Sequence, residues 1–323
     1  MPNTCEVVIP SLKIHIVGGG AIGLLHAGLL ARAGQEVTVW TRTDKQAERL
    51  QAEGVRLETL DGVVRDIAVD SHSLSSLQAG PIGKEHSAAW IILTVKQSHI
   101  DESLLHRLRR LSSGTAAILC LQNGIGHMEK LAAALPDALL YAGVTSVGAR
   151  RLDDARHVRH TGDGRLWFGA YSEDKKDDYL QNLLLKILKT AGFRAGLSNE
   201  MKDMIYQKLL INAVINPLTA IYDTTNGELP QHPTRLRLMR SLYEETSAIL
   251  SADGMKPGGD GWQLVMQVCA ATAANVSSML SDVRAGRQTE IDWINGGVAG
   301  LAGRLGIASP LNDAVTALVK QLH

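Results

Sequence analysis

Thiols are scarce in this chain: its 323 residues hold only Cys5, Cys120 and Cys269, far apart and without a CxxC pair. That spacing excludes a disulfide framework and a thiolate metal knuckle, and an odd, sparse count fits a reducing compartment. Cys120 and Cys269 stand among apolar neighbours and read as small core residues. An excess of charge is lacking too. The 33 Lys+Arg are matched by 33 Asp+Glu, so no overall basic field draws nucleic acid or an acidic membrane. Any anion bound here must be held by a local arrangement. No apolar run reaches the roughly 18 residues of a spanning helix. The first ten residues also lack the basic start and apolar core of a secretory signal. A cytoplasmic location is therefore expected. The histidines show no ligand spacing. His157 and His160 lie beside Arg156 and Arg159 in a basic segment expected to be a solvated strand or loop, and no metal site is expected.

What remains is ordinary globular material, 45% hydrophobic and 20% charged. The length suggests about two domains, large enough to need no disulfide or metal staple. Lys13–Val17 reads as a strand, followed by a glycine turn, a helix to about Ala33, a break at Gly34 and a second strand at Val37–Trp40. Trp90–Val95 and Ala116–Leu121 are nearly continuous apolar runs, as in buried parallel strands. Such alternation implies an α/β, Rossmann-like doubly wound sheet. The stretch from Leu152 to Tyr171, with its Thr-Gly-Asp-Gly turn, reads as an antiparallel hairpin or edge strands. Beyond Asn199 the pattern turns helical: Met201–Tyr222, Thr234–Ala252, Gly261–Ala285 and Thr289–Leu305. The expected division is an N-terminal Rossmann-like domain, 1–199, and an all-helical C-terminal domain, 200–323.

The glycine turn is Gly18-Gly19-Gly20-Ala21-Ile22-Gly23, a GxGxxG at a strand-to-helix junction. Gly18 allows the tight turn, Gly20 a close approach of a pyrophosphate, and Gly23 close helix–strand packing. The phosphates would meet the helix N-terminus, where free N–H groups and the dipole favour negative charge. An NAD-binding chain usually ends its second strand in an acid that holds the ribose 2′-hydroxyl. This one has Trp40-Thr41-Arg42-Thr43. Arg42 can clamp a 2′-phosphate that a carboxylate would repel, so NADP (as NADPH) is the expected cofactor. Lys96 and Gln122-Asn123-Gly124 follow two further strands, and open α/β sheets bind ligands at such ends.

In the helical half, Lys208, Asn212 and Asn216 recur at i, i+4 and i+8 on an otherwise apolar helix, with Pro217 expected to bend it. Buried amides without partners cost on the order of 1–3 kcal/mol each, so the stripe reads as a binding face. Asn275, Ser278 and Asp282 are expected to share a later helical face, and Glu290 to lie in a first helical turn. A desolvated lysine suits proton donation to a ketone that is receiving a hydride, and it would stabilise the developing oxyanion.

At these residues the chain resembles the ketopantoate reductase family, over nearly its whole length after residue 12. The resemblance rests on Val17–Gly23, Gln122–Gly126, Lys208-Leu209, Ile215–Ala220, Asn226–Leu229, Ser277–Leu280 and Thr289–Asp292. The helical-domain strings are the more specific. It implies Lys208 as general acid, assisted by Glu290, with Asn123, Asn212, Asn216, Asn226 and Ser278 around a small 2-keto acid. It also implies a cofactor set of Gly18, Gly19, Gly20, Ala21, Ile22, Gly23, Arg42, Lys96, Asn123, Glu290 and the backbone near Ala149. The implied reaction is NADPH-dependent reduction of 2-dehydropantoate to (R)-pantoate. A homodimer is compatible with this, and nucleic acid and membrane are not expected partners. Two alternatives stay open: a reductase of another branched 2-keto acid, and a catalytically silent NADPH-binding sensor. The departures from the family pattern are a short extension, Met1–Ser11, and an expanded loop around Gly80–Ser87.

Overall fold

The computed structural model describes residues 10–77, 88–112, 116–152, 154–256 and 259–322, so Gly80–Ser87 and most of the N-terminal extension lie outside the described residues. The chain divides into two compact units. One runs up to Gln122 and resumes over His127–Met201, and the other takes Asn123–Gly126 and everything from Lys202 onward.

The first unit opens with β1 (Lys13–Val17), α1 (Ala21–Arg32), β2 (Glu36–Thr41), α2 (Asp44–Glu53), β3 (Val55–Glu58), β4 (Val64–Ile67) and β5 (Asp70–Ser73). There follow β6 (Trp90–Leu93), α3 (Glu102–Leu111), β7 (Ala117–Cys120), α4 (His127–Ala134) and β8 (Leu139–Thr145). It closes with β9 (Gly148–Arg151), β10 (His157–Gly162), β11 (Arg165–Ala170), α5 (Asp178–Thr190) and β12 (Arg194–Leu197). An eight-stranded sheet has the order β12-β11-β8-β7-β6-β1-β2-β5. The six strands from β5 to β8 are parallel. β11 joins β8 antiparallel, and β12 extends it in parallel. The order reverses between β1 and β6, the switch point at which such sheets bind ligands.

Residues of β1, β6 and β7 are buried almost throughout, which is why the β6 and β7 runs carry no polar alternation, and in β1 even His15 is fully buried. Around them α3 buries Leu104, Leu105, Leu108 and Leu111, one stripe of an amphipathic helix, and Asp101 caps its N-terminus by accepting from the Leu104 amide at 2.8 Å.

A second sheet, order β4-β3-β10-β9, was not anticipated from the sequence. β3 and β4 form a hairpin around Asp61-Gly62, with Gly62 at φ +80°, and that dipeptide between alternating residues is the signal that could have revealed it. α1 packs against both sheets, touching β2 on one side and β3, β9 and β10 on the other. Burial on two faces explains why Gly23 to Leu30 are all inaccessible.

The expected hairpin or edge strands between Leu152 and Tyr171 are corrected: β10 is an inner strand between β9 and β3, whereas β11 is an inner strand between β8 and β12 in the other sheet. The basic segment is only partly solvated: Arg159 is exposed on β10, but Arg156 is not. Arg156 is buried and reaches Glu53 at 3.0 Å as well as Asp66, while Arg159 and His157 meet Glu58 at 2.8 and 3.7 Å. Acids on β3, β4 and the end of α2 answer Arg156, His157 and Arg159, whereas His160 Nε2 lies 3.1 Å from the Gly162 carbonyl oxygen.

The second unit is helical: α6 (Met201–Tyr222), α7 (Pro233–Ala252), α8 (Gly261–Ala271), α9 (Ser278–Arg284), α10 (Asn295–Leu305) and α11 (Pro310–Lys320). α6 lies at its centre. Leu209, Leu210, Ala213 and Ala220 pack with Ile249, Met279, Ile294 and Leu301, and Val214, Ile215 and Leu218 pack with Met239, Leu242, Val265 and Val315. Two cores on one helix account for its apolar sequence. α6 continues as helix through Pro217 to Tyr222.

Two expected helices are revised. Gly261–Ala285 is broken between α8 and α9, because the Asn226 and Gly227 amides donate to the carbonyls of Asn275 and Ala273 and hold that strip out of the helix. Asn275 therefore shares no helical face with Ser278 and Asp282. The last of the expected helices starts at Asn295, not Thr289, since Glu290–Ile294 forms a turn whose Trp293 carbonyl accepts from the Ile125 amide. Cys120 and Cys269 are buried thiols, pushed up by burial to about 12 and about 11. No described helix is long and apolar enough to cross a membrane.

Candidate active site

In the first unit the site is a matter of backbone. Gly18 has φ +122°, and a Cβ there would lie 2.7 Å from Thr94 Oγ1. A Cβ on Gly23 would lie 1.9 Å from the Gly18 carbonyl oxygen and 2.6 Å from Thr94 Oγ1. Both glycines are demanded by the protein's own packing. Gly20 differs: its Cβ would meet nothing within 4 Å. That open space beside an exposed turn is what a phosphate group needs to come close to the main chain. The N-terminus of α1 has no side-chain cap and no acid in its first turn, so its leading N–H groups keep their capacity for an anion. The loop is braced from outside the motif. Gln46 Nε2 donates to the carbonyls of Gly19 and Ala155 at 2.8 and 2.7 Å, and Thr94 Oγ1 lies 3.1 Å from the Val17 and Gly18 carbonyl oxygens. Nothing in the sequence marked Gln46, whereas Thr94 could have been suspected from its place at the end of an apolar strand.

Arg42 follows β2 and Lys96 follows β6, on either side of β1. Arg42 Nη1 lies 3.4 Å from His99 Nε2. Partial burial, then the charges of Arg42 and Lys96, pull the His99 imidazole below its usual range, so three basic groups converge at this edge. Asp44, two residues on, accepts from Ser75 at 2.8 Å, and hydrogen bonds from Ser73 and Ser75 hold its carboxyl below the usual carboxylate range. Ala149 lies on β9, paired with His160 in the second sheet. That strand passes the glycine loop, since Arg151 Nη1 reaches the Gly19 carbonyl at 3.4 Å.

In the second unit the site is a matter of side chains. Lys208 and Asn212 are half-buried on α6, and Asn216 is buried. Desolvation lowers the Lys208 ammonium to about 8, and the nearby Glu290 carboxylate resists that shift. Glu290 Oε2 accepts from Asn123 Nδ2 at 2.9 Å. Glu290 is thus tied to Asn123 and Lys208 and does not, as expected, sit in the first turn of a helix. Asn123 arrives on a sharp turn. Gly124 has φ +80°, and a Cβ there would lie 2.3 Å from the Trp293 carbonyl, so only glycine allows this approach.

Asn226 is buried, its Nδ2 donating to Thr272 Oγ1 at 2.9 Å, and its Oδ1 has no partner among the described residues. Ser278 is exposed at the start of α9. Its neighbour Ser277 is the buried one: it caps α9 and lies 2.7 Å from Thr219 Oγ1 on α6. The sequence pointed to Ser278 and did not mark Ser277.

A glycine turn open at Gly20, at the switch point of a doubly wound sheet, in a chain that also holds a desolvated lysine beside a carboxylate, fits the class of Rossmann-type oxidoreductases. The comparisons with known proteins narrow this. The profile described as ketopantoate reductase PanE/ApbA matches residues 14–173, and its C-terminal counterpart matches 200–323. The chain belongs to the ketopantoate reductase family. It is 36% identical to the 2-dehydropantoate 2-reductase of Bacillus subtilis over 286 residues, 88% of this chain and 89% of that one. A PanE/ApbA family ketopantoate reductase from Ralstonia eutropha superposes with a TM-score of 0.84 at 28% identity, covering 96% of this chain and 98% of the other. D-mandelate dehydrogenase, solved with NADH and anilino(oxo)acetate, shares the fold at 24% identity and a TM-score of 0.85, with 96% and 98% covered.

Proposed function

We propose that this chain is an NADPH-dependent 2-dehydropantoate 2-reductase, reducing the C2 ketone to the alcohol of (R)-pantoate, a step toward pantothenate. The observation that carries this is Lys208, a desolvated ammonium at about 8 whose charge Glu290 supports. When bound, NADPH supplies the hydride for C2. Lys208 Nζ donates its proton to the C2 oxygen as that oxygen becomes an alkoxide, and until transfer its positive charge stabilises the growing negative one. A pKa near neutrality makes it a better acid than an ordinary lysine and still leaves it protonated at physiological pH. Glu290 keeps the proton on Lys208, and Asn123 orients Glu290. Asn212 and Asn216 extend the same helical face toward the substrate's oxygens, and Ser278 offers a hydroxyl. The unpartnered Asn226 Oδ1 suits the hydroxyl of the substrate.

Residues 1–199 would serve the dinucleotide and 200–323 the substrate. Gly18, Gly19, Gly20, Ala21, Ile22 and Gly23 would cradle the pyrophosphate, with Ala149 alongside. Arg42 and Lys96 would hold the 2′-phosphate edge, where no carboxylate replaces them at the end of β2, and Asn123 and Glu290 would touch the nicotinamide end.

The test is consumption of reduced nicotinamide, followed by absorbance, with 2-dehydropantoate, pyruvate and 2-ketoisovalerate, each with NADPH and with NADH. Rapid turnover confined to NADPH and 2-dehydropantoate is expected. Preference for another keto acid would move the substrate and keep the lysine chemistry. Tight NADPH binding without turnover of any of them would make the protein a sensor.

A further inference from the structure

The geometry points to Asn295 as a positioning residue: it supplies a hydrogen-bond donor that α6 lacks, and thereby fixes the Lys208–Asn212–Asn216 face relative to the turn bearing Glu290. The inference rests on the role proposed for Lys208.

In an uninterrupted helix the Ala213 carbonyl accepts from the amide of residue 217. That residue is Pro217, which has no N–H. Ala213 is fully buried, so no water would serve its oxygen, and a stranded buried carbonyl is unfavourable. Asn295 Nδ2 donates to this oxygen at 2.9 Å. Its second N–H goes to Asn312 Oδ1, also at 2.9 Å. Both neighbours are acceptors, so the amide can point only one way, with nitrogen inward.

Asn295 is itself fully buried and held from behind. Asn312 donates from its backbone N and its Nδ2 to Glu245 Oε1 on α7, at 2.8 and 2.9 Å, and the Leu311 amide donates to Glu245 Oε2. The donor that replaces the missing N–H is thus anchored to α7 and α11 and cannot drift with α6.

Its location gives it reach into the chemistry. Ala213 directly follows Asn212 and lies between the two stripe asparagines. Asn295 begins α10 directly after the Glu290–Ile294 turn, in which the Trp293 and Ile294 amides both donate to the Glu290 carbonyl. One buried amide therefore joins the backbone that carries the acid to the backbone that carries its charge partner. On the other side of Pro217, Thr219 Oγ1 lies 2.7 Å from Ser277 Oγ, next to Ser278. A proline in mid-helix is a defect that has been converted into an attachment point.

The experiment compares Asn295→Ala, Pro217→Ala and the double variant. The alanine at 217 restores the helical N–H and should make Asn295 dispensable for α6. Asn295→Ala is expected to lower kcat about tenfold, as a small misplacement of a catalytic group does, to move the pH profile of kcat, and to speed amide exchange over residues 213–219. The double variant should recover most of the turnover and the pH profile. An Asn295→Ala protein that melts earlier yet keeps kcat and pH profile would make the residue merely structural and overturn the proposal. So would a double variant without recovery. If Asn295→Ala alone does not fold, the double variant must fold and turn over, or the proposal fails. Lys208→Ala, run in parallel, separates the two claims. Full activity there removes the role of Lys208, whereas loss there with an indifferent Asn295→Ala removes only this inference.

Discussion

Under the proposed function, the two units would solve the same problem, binding a polar ligand in a folded protein, by opposite means. In the first the site is made of missing side chains: Gly18 and Gly23 clear space for the chain itself, and Gly20 clears it for something else. In the second the site is made of side chains that an apolar core would ordinarily reject, Lys208, Asn212 and Asn216 on a helix buried between two clusters. A backbone site has little desolvation to overcome, because N–H groups at a helix start are unpaired in any case. A side-chain site carries a desolvation penalty, visible in the lowered pKa of Lys208, and must offset it with partners or with ligand.

That contrast can be broken most sharply at Lys208. Lys208→Ala should lower kcat by about a thousandfold, within the range of general acid catalysis, while NADPH affinity, measured by fluorescence titration, stays near wild type. Comparable losses of kcat and of NADPH binding would show that the units are not separable in function.

A pair of glycines sharpens the other side. Gly23→Ala, with its Cβ 1.9 Å from a carbonyl oxygen, should weaken NADPH about a hundredfold and lower Tm, because both the turn and the helix–strand packing move. Gly20→Ala should weaken NADPH about tenfold and leave Tm unchanged, since only a close phosphate would notice the methyl group. Equal drops in Tm would mean that the space at Gly20 is structural. At the end of β2, Arg42→Glu should weaken NADPH about thirtyfold and NADH only a few-fold, as expected for a charge-assisted phosphate contact. Equal effects would place Arg42 away from the 2′-phosphate.

The same contrast decides what could be read from sequence. The doubly wound sheet was legible because strands buried on both faces leave uninterrupted apolar runs, and the glycine turn because its residues adjoin in the chain. α6 was legible with its polar stripe because helical periodicity is local. The hidden parts depend on bonds between distant residues. The break between α8 and α9 is set by the Asn226 and Gly227 amides, and Gln46 braces Gly19 from 27 residues away. Glu290 leaves the expected helix because the turn after it is tied to Ile125. The same distance hid the pairing of Asn295 with the Ala213 carbonyl, although Pro217 announces that some donor is needed.

The smallest expected effect concerns the partner of Lys208. Burial lowers this ammonium and Glu290 raises it, leaving it at about 8. A general acid works while protonated, so kcat for reduction should fall as pH rises through that value. Glu290→Gln removes the supporting charge and keeps the shape, so Lys208 should lose its proton at lower pH. The alkaline limb of kcat should move down by about one unit, the scale on which a neighbouring carboxylate acts. Stability should respond with a definite sign. The folded pKa lies below the unfolded one, so between the two values the unfolded chain binds more protons and stability rises with pH. The charged lysine is therefore a cost at neutral pH that disappears as pH climbs from about 8 toward the ordinary lysine range. In Glu290→Gln this window should open at lower pH, and Tm near neutrality should fall below that of the wild type. A variant whose kcat limb and Tm profile both overlay the wild type would show that Glu290 does not set the protonation of Lys208, and would leave burial as the sole cause of its shifted pKa.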